Sequence, residues 1–370
     1  MNSKTGRRRF VVLALGGILL AGILVATVFL FWSTFAPAST PASPAPTLAL
    51  RVPFQQGVAY ASWQQGEYSS VESDQTLATV VKPIGVNWIS VVVTCYQNSF
   101  TATEIQCDSD RTPTDDDLKH AVDYAHSLGL QVMLKPHVDL DDGQWRGEIE
   151  LGGDEAAWTA WFAEYTNFIT HYAALAQETG IEYFVIGTEL QGTSSREVEW
   201  RAVTAAVRAV YHGPLTYAAN HGEEVLNLTW WDAVDAIGVD AYYPLTESDA
   251  PTLPELRSAW TPIVERLGQL SKQWNRRVIL TEAGYQSRNG TNRTPWHVET
   301  KAIDLQEQAD SYQAVFDSFT GHDWWQGVFW WYWNVRLDQG GPENSGFTAN
   351  NKPAENVLRL NYGAPPRPNE

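Results

Sequence analysis

Tyr183-Phe184-Val185-Ile186-Gly187-Thr188-Glu189 is the stretch on which the fold turns. Six residues suited to the inside of a sheet run without a break into a carboxylate. Strict alternation would mark a half-exposed strand, whereas a near-continuous apolar run marks a parallel strand covered by helices. A charge can close such a run only where the strand has left the core. Seven more runs share this character, at 57–63, 88–96, 131–137, 215–220, 236–243, 278–282 and 327–333. From Trp63 to Trp333 they recur about every 39 residues, the length of one strand–helix unit.

Amphipathic stretches fill the gaps. Thr112-Pro113-Thr114-Asp115-Asp116-Asp117-Leu118 reads as a capped start for a helix running to about Ser127 and stopped by Gly129. The stretch 155–179 carries Trp158, Trp161, Phe162, Tyr165, Phe168, Ile169 and Tyr172 at helical spacing and closes at Gly180. Further helices are expected over 256–274 and 305–319. Eight such units make a (β/α)8 TIM barrel. A doubly wound sheet is the main competitor, but no Gly-rich nucleotide turn follows the first strand.

The 370 residues are 44% hydrophobic and 18% charged, which excludes wholesale disorder. Net charge is −18, and Lys4, Arg7, Arg8 and Arg9 supply all the basic residues before position 10. Without them 21 Lys and Arg face 43 Asp and Glu, a body that repels phosphate backbones and so takes no nucleic acid as partner. Two cysteines exclude a disulfide-rich scaffold and a four-Cys zinc site. No Walker loop, GxSxG elbow or HExxH pair is present, and the Asp139–Gly143 stretch reads as a solvated acidic loop. No cofactor and no metal is implied.

The N-terminus sets the expected compartment. Residues 1–9 form a basic tail, and 10–32 are a 23-residue run whose only polar member is Thr27. As a helix it would reach roughly 34 Å, enough to cross a lipid bilayer. No Lys or Arg follows until Arg51, so the tail is expected in the cytoplasm and the remainder outside. The alternative is a cleaved signal with Ala36-Pro37-Ala38 as its processing site, giving a secreted protein. Residues 33–50, with four Pro and six Ser or Thr and no charge, form a Pro/Ala/Ser/Thr linker. The barrel is expected over 51–363, followed by a tail at 364–370. In an exported chain, Cys95 and Cys107 in one loop are candidates for a disulfide.

A barrel carries its chemistry at the C-terminal strand ends. Glu189 and Glu282 close the fourth and seventh runs, which face one another across the mouth. Either alone reads equally well as an ion-pair residue. As an opposed pair they suit glycosidic cleavage, which needs one carboxyl protonated and one ionised. Seventeen Trp favour a carbohydrate ligand, because sugar rings stack C–H faces on indole while their hydroxyls take polar partners. Trp63 lies at the first strand end, and simple alternation sends Trp331 and Trp333 to one side of the eighth.

Gly57-Val-Ala-Tyr-Ala-Ser-Trp63, Leu134-Lys-Pro-His137, Phe184-Val-Ile-Gly-Thr-Glu-Leu190, Asp235-Ala-Ile-Gly-Val-Asp-Ala-Tyr-Tyr-Pro244, Leu280-Thr-Glu-Ala-Gly-Tyr285 and Asn351-Lys-Pro-Ala-Glu-Asn-Val357 resemble glycoside hydrolase family 113 over about residues 54–362. That family is similar to the retaining clan A hydrolases and is associated with β-1,4-mannan and mannooligosaccharide cleavage. The resemblance implies Glu189 as acid/base and Glu282 as nucleophile. It puts Tyr243 near the nucleophile, Trp331 or Trp333 under the sugar at the cleaved bond, and His137 and Asn220 on sugar hydroxyls. Thr188 stands where many clan members carry Asn, so the contact to the sugar 2-hydroxyl is left unassigned. Two other readings stay open: a β-glycosidase on a glucan or another hemicellulose, and a cell-surface barrel that binds polysaccharide without cutting it.

Overall fold

The computed structural model describes residues 54–107 and 110–367. The basic tail, the 10–32 segment, the linker and the last three residues of the chain lie outside the described residues. Among those described, no helix is long and apolar enough to cross a membrane.

Eight parallel strands close into a barrel in sequence order: β1 (Gln55–Ala61), β2 (Trp88–Gln97), β3 (Gln131–Leu140), β4 (Tyr183–Thr188), β5 (Leu215–Asn220), β6 (Ala236–Asp240), β7 (Arg277–Ala283) and β8 (Trp325–Asn334). Helices follow them: α1 (Val71–Thr76), α2 (Asp115–Ser127), α3 (Glu155–Thr179), α4 (Glu197–Val210), α5 (Glu223–Asn227), α6 (Leu253–Trp274), α7 (Leu305–Phe319) and α8 (Pro353–Asn361). The TIM barrel expectation is met.

Local chemistry explains the clearest boundaries. The Thr114 side chain accepts from the Asp117 N–H while the Asp117 carboxylate accepts from the Thr114 N–H, so α2 starts on a reciprocal cap. Asp154 caps α3 through the Ala156 and Ala157 amides, and Gly180 ends it in the left-handed region. α6 begins three residues earlier than its apolar pattern, because Thr252 and Glu255 form another reciprocal cap and Pro254 fits the first turn. α1, α4, α5 and α8 are short or charge-rich and gave no clear sequence signal.

The barrel interior is built in steps of two residues. At the floor, Trp88, Met133, Tyr183, Val185, Ala218, Ala236, Ile279 and Phe329 form a buried apolar cluster drawn from β2 to β8. β1 contributes Gly57, where a Cβ would lie 2.4 Å from the Phe329 ring, so no larger residue fits. Since alternate residues of a strand share a face, climbing by two reaches the mouth. Met133 leads to Lys135 and His137, Ala218 to Asn220, Ala236 to Asp240, and Phe329 to Trp331. The much larger second cluster, including Trp161, Trp200, Trp230 and Trp260, packs between the strands and their helices.

Cys95 and Cys107 are joined in a disulfide that closes the loop after β2. The same loop is pinned by paired backbone hydrogen bonds of 2.8 Å between Tyr96 and Gln106.

Candidate active site

Both predicted carboxylates stand at the mouth. Glu189 follows β4 directly and takes a left-handed backbone conformation, φ 51°. Its N–H donates to the Ala218 carbonyl at 2.8 Å, and the next amide, Leu190, donates to the Tyr217 hydroxyl at 3.0 Å. Tyr217 in turn donates to buried Glu224 at 2.6 Å, and the second Glu224 oxygen accepts from the Asn220 amide at 2.6 Å. Burial pushes the Glu224 carboxyl up to about 8. This buried network ties the ends of β4 and β5 together, so Glu189 sits on a fixed backbone.

Glu282 is seated differently. The ladder between β7 and β8 slips between Leu280 and Ala283, which turns Glu282 toward the interior. One carboxylate oxygen accepts from the Lys135 ammonium and the other from the Tyr242 hydroxyl at 2.6 Å. Lys135 is fully buried and also donates to both oxygens of Asp240, at 3.0 and 3.1 Å. Thr281 donates to Asp240 as well, at 2.7 Å. Burial works against the Lys135 charge, but Asp240 and Glu282 outweigh it and raise its pKa above the ordinary lysine value. The ammonium therefore persists in the interior.

Glu189 has no such cation in contact. It is half-buried, and the Trp145 indole N–H donates to one oxygen at 3.1 Å. Burial raises its pKa; nearby Arg146 opposes this, and the negative charge of Glu282 adds to it. Arg146 itself is paired with Asp139 at 2.6 Å.

The aromatic residues sort into a cleft and a core. Trp331 stacks on His137, with centroids 6.3 Å apart and planes 12° apart, and half-buried Trp63 meets Trp331 edge-on at 6.3 Å. His137 is kept neutral by burial and by the charges of Arg146 and Lys135. Its Nε2 is buried without a hydrogen-bond partner, as are Arg146 Nη1 and Thr188 Oγ1. Buried polar atoms of this kind normally find partners; hydroxyl groups of a ligand would supply them here.

Two sequence expectations are corrected. Trp333 is only 1% exposed and belongs to the core. Two residues of β1, Val58 and Tyr60, span three steps of β8, Trp330 to Trp333, so the alternation breaks between Trp331 and Trp333. The residue beside Glu282 is Tyr242, not Tyr243, because β6 ends at Asp240 and the chain leaves strand geometry. Tyr243 instead packs edge-on against His221 at 5.2 Å and Trp260 at 5.7 Å. Asn220 reaches the mouth at the end of β5, where its amide donates to Gln191 at 3.3 Å. Lys135, Asp240 and Tyr242 fall inside the expected strand runs 131–137 and 236–243 without an assigned role, and Trp145 and Arg146 fall outside every run. A lysine inside the apolar 131–137 run was the available signal, since a buried ammonium must find carboxylates.

A closed (β/α)8 barrel with two unlike carboxylates and stacked aromatic rings at its mouth defines a glycoside hydrolase, acting on a polysaccharide or oligosaccharide. The family model of Glycoside Hydrolase Family 113 matches residues 58–352, and the chain belongs to that family. A solved structure of a family 113 β-1,4-mannanase is 30% identical, covering 85% of this chain and 100% of its own, with a TM-score of 0.78. The family 113 β-mannanase from Alicyclobacillus acidocaldarius, in complex with ManMIm, is also 30% identical, covering 85% of this chain and 99% of its own at a TM-score of 0.78. The β-glucuronidase of Ruminococcus gnavus shares the fold alone, at 14% identity and a TM-score of 0.59 over 84% of this chain and 50% of its own. No curated protein matches the chain.

Proposed function

We propose that the protein is a retaining β-mannanase that cleaves β-1,4-linked mannan or mannooligosaccharides, with Glu282 as nucleophile and Glu189 as acid/base. The observation that carries the assignment of roles is the contrast between the two carboxylates. Glu282 accepts hydrogen bonds from an ammonium on one oxygen and from a phenol on the other, the surroundings that suit a nucleophile. Glu189 sits where burial and a like charge favour the protonated form.

In the first step Glu282 attacks the anomeric carbon while the Glu189 proton passes to the departing glycosidic oxygen, leaving a glycosyl ester on Glu282. That ester removes the negative charge that raised Glu189. Glu189, now ionised, takes a proton from water as the water oxygen attacks the anomeric carbon, and Glu282 departs as carboxylate. Two inversions give net retention. Such a mechanism requires the two carboxyls to stand about 5–5.5 Å apart. Trp331 and Trp63 would form the apolar floor under the sugar whose bond breaks, with His137 offering its free Nε2 to a hydroxyl.

The substrate assignment rests on family membership and on the two mannanases of matching fold. The test is a product profile on mannan, β-glucan and xylan, with proton NMR of the first anomer released. Short mannooligosaccharides appearing first as the β anomer are expected; activity confined to glucan or xylan would overturn the sugar assignment.

We also propose that residues 10–32 anchor the chain in the membrane, with the barrel outside, on the strength of the apolar run and the basic residues before it. The full-length protein should then need detergent for extraction, while residues 51–370 should be soluble and active. Release of the full-length chain by salt alone would contradict the anchor.

A further inference from the structure

The closing stretch Asn351-Lys352-Pro353-Ala354 takes part in none of the steps above. Lys352 directly precedes α8 and is 4% exposed. Its ammonium donates to the Ser287 hydroxyl at 2.9 Å, to the Asn344 side-chain oxygen at 3.0 Å and to the Gly346 carbonyl at 3.0 Å. All three acceptors are uncharged, whereas Lys135 meets two carboxylates. Burial accordingly lowers the Lys352 pKa, to about 7. An apolar side chain would fill the same space without the desolvation penalty. What distinguishes the ammonium is the set of groups it joins.

Those groups lie on two loops at the barrel mouth. Ser287 follows β7, the strand that carries Glu282, and Asn344 and Gly346 lie between β8 and α8. The Ser287 hydroxyl donates to the Asn344 carbonyl at 2.7 Å, and the Ser287 amide donates to the Gly346 carbonyl at 3.2 Å. The next residue, Phe347, is held through its carbonyl, which accepts from the buried Gln308 side chain of α7 at 2.9 Å. The same Gln308 amide donates to the Tyr285 carbonyl at 2.8 Å, again joining the two loops. So placed, the half-buried Phe347 ring meets the Tyr242 ring edge-on, with centroids 6.3 Å apart and planes at 73°. Gly284 makes the approach possible, because a Cβ there would lie 3.1 Å from the Phe347 ring and 3.0 Å from the Trp331 carbonyl. Tyr242 is the residue whose hydroxyl donates to Glu282 at 2.6 Å. It lies beyond the end of β6, where the sheet ladder no longer sets its direction, and the Phe347 edge backs it there.

We propose that Lys352 and Phe347 are positioning residues for the nucleophile. The ammonium ties the loop after β7 to the loop after β8, and the tie seats the Phe347 ring that keeps the Tyr242 hydroxyl on Glu282. This rests on the role assigned to Glu282. Both residues act through Tyr242 rather than on the sugar.

The test is a double-mutant cycle on the β-linked oligosaccharide that the wild type cleaves fastest. Phe347→Ala should lower kcat about tenfold, the scale of coupling between residues in contact, and Phe347→Tyr, which keeps the ring, should recover most of it. In a Tyr242→Phe background, which has no hydroxyl left to position, Phe347→Ala should change kcat less than about twofold. A merely structural loss would multiply equally in both backgrounds, and that result, or wild-type kcat in Phe347→Ala, would overturn the proposal. Lys352→Met should lower kcat about as much as Phe347→Ala does, and the two together should lose little more than either alone. Multiplying losses, or wild-type kcat in Lys352→Met, would overturn the tie. Should Lys352→Met fail to fold, Ser287→Ala and Asn344→Ala each remove one acceptor and should lower kcat about twofold to fivefold; wild-type kcat in both would overturn the tie as well. Glu282→Ala is measured alongside: if it keeps wild-type activity, the catalytic reading itself fails, whatever Phe347 does.

Discussion

Glu282 and Glu189 are the same chemical group at two strand ends of one barrel, and their surroundings are opposite. Around Glu282 the interior supplies a cation and a phenol, and Lys135 is shared with Asp240. Around Glu189 it supplies one indole N–H. Residue type alone does not separate a nucleophile from an acid; the donors that each carboxylate meets do. The difference arises from ordinary strand geometry, since two-residue steps up β3 and β6 bring Lys135 and Asp240 into the interior just below the mouth, whereas the end of β4 faces the loop that carries Trp145.

The largest expected effect breaks the comparison at its charged end. Glu282→Ala should lower kcat on the order of 10⁴-fold or more, because the covalent route is lost. Added azide should restore turnover by attacking the anomeric carbon from the vacated side, giving a glycosyl azide of inverted configuration. Glu189→Ala should cost about 10²–10⁴-fold on oligosaccharides, the usual range for acid–base assistance. Its loss should be much smaller in the first step for substrates whose leaving group needs no proton, and azide should there give product of retained configuration. Equal losses on activated and unactivated substrates would remove the acid role from Glu189.

Lys135→Met sharpens the comparison by making the two ends alike. It leaves Asp240 and Glu282 buried without their cation, which should cost about 3–5 kcal/mol of stability in denaturant unfolding. The sign with pH follows from the same charges. Burial and the charge of Glu282 hold the Asp240 carboxyl well above its ordinary value against the pull of Lys135, and without the ammonium Asp240 binds its proton still more tightly in the folded state than in the unfolded one. The variant should therefore recover stability as pH falls and lose it as pH rises through the carboxylate range.

The smallest effect lies at the other end. The Trp145 indole N–H favours the charged form of Glu189. Trp145→Phe removes that donor and keeps an apolar ring, so the Glu189 pKa should rise further. Activity needs Glu189 protonated; the alkaline limb of the kcat/KM profile should move upward by a fraction of a pH unit. A downward move would show that the indole acts on Glu189 chiefly by excluding water.

Much of this was legible in the sequence. The near-continuous apolar runs placed all eight strands within a few residues, and the two Glu at opposed strand ends marked the mouth. What escaped depended on contacts remote in sequence or on broken periodicity. Lys135 meets Asp240 105 positions away, and Trp145 meets Glu189 across 44. Trp333 went to the wrong side because one slipped register in β8 cancels the alternation. Tyr243, implied by the resemblance, gives way to Tyr242 beside Glu282, where β6 has already ended and strand alternation no longer says which ring points inward.

The central claim is that Glu282 forms a bond to the sugar. The most direct measurement is mass spectrometry of proteolytic peptides after reaction with a 2-deoxy-2-fluoro glycoside carrying an activated leaving group, which slows release of the glycosyl-enzyme. The account predicts one fluoroglycosyl unit on the peptide containing Glu282, absent in Glu282→Ala. An adduct on the peptide containing Glu189, or turnover of the reagent with inverted product and no adduct, would contradict it.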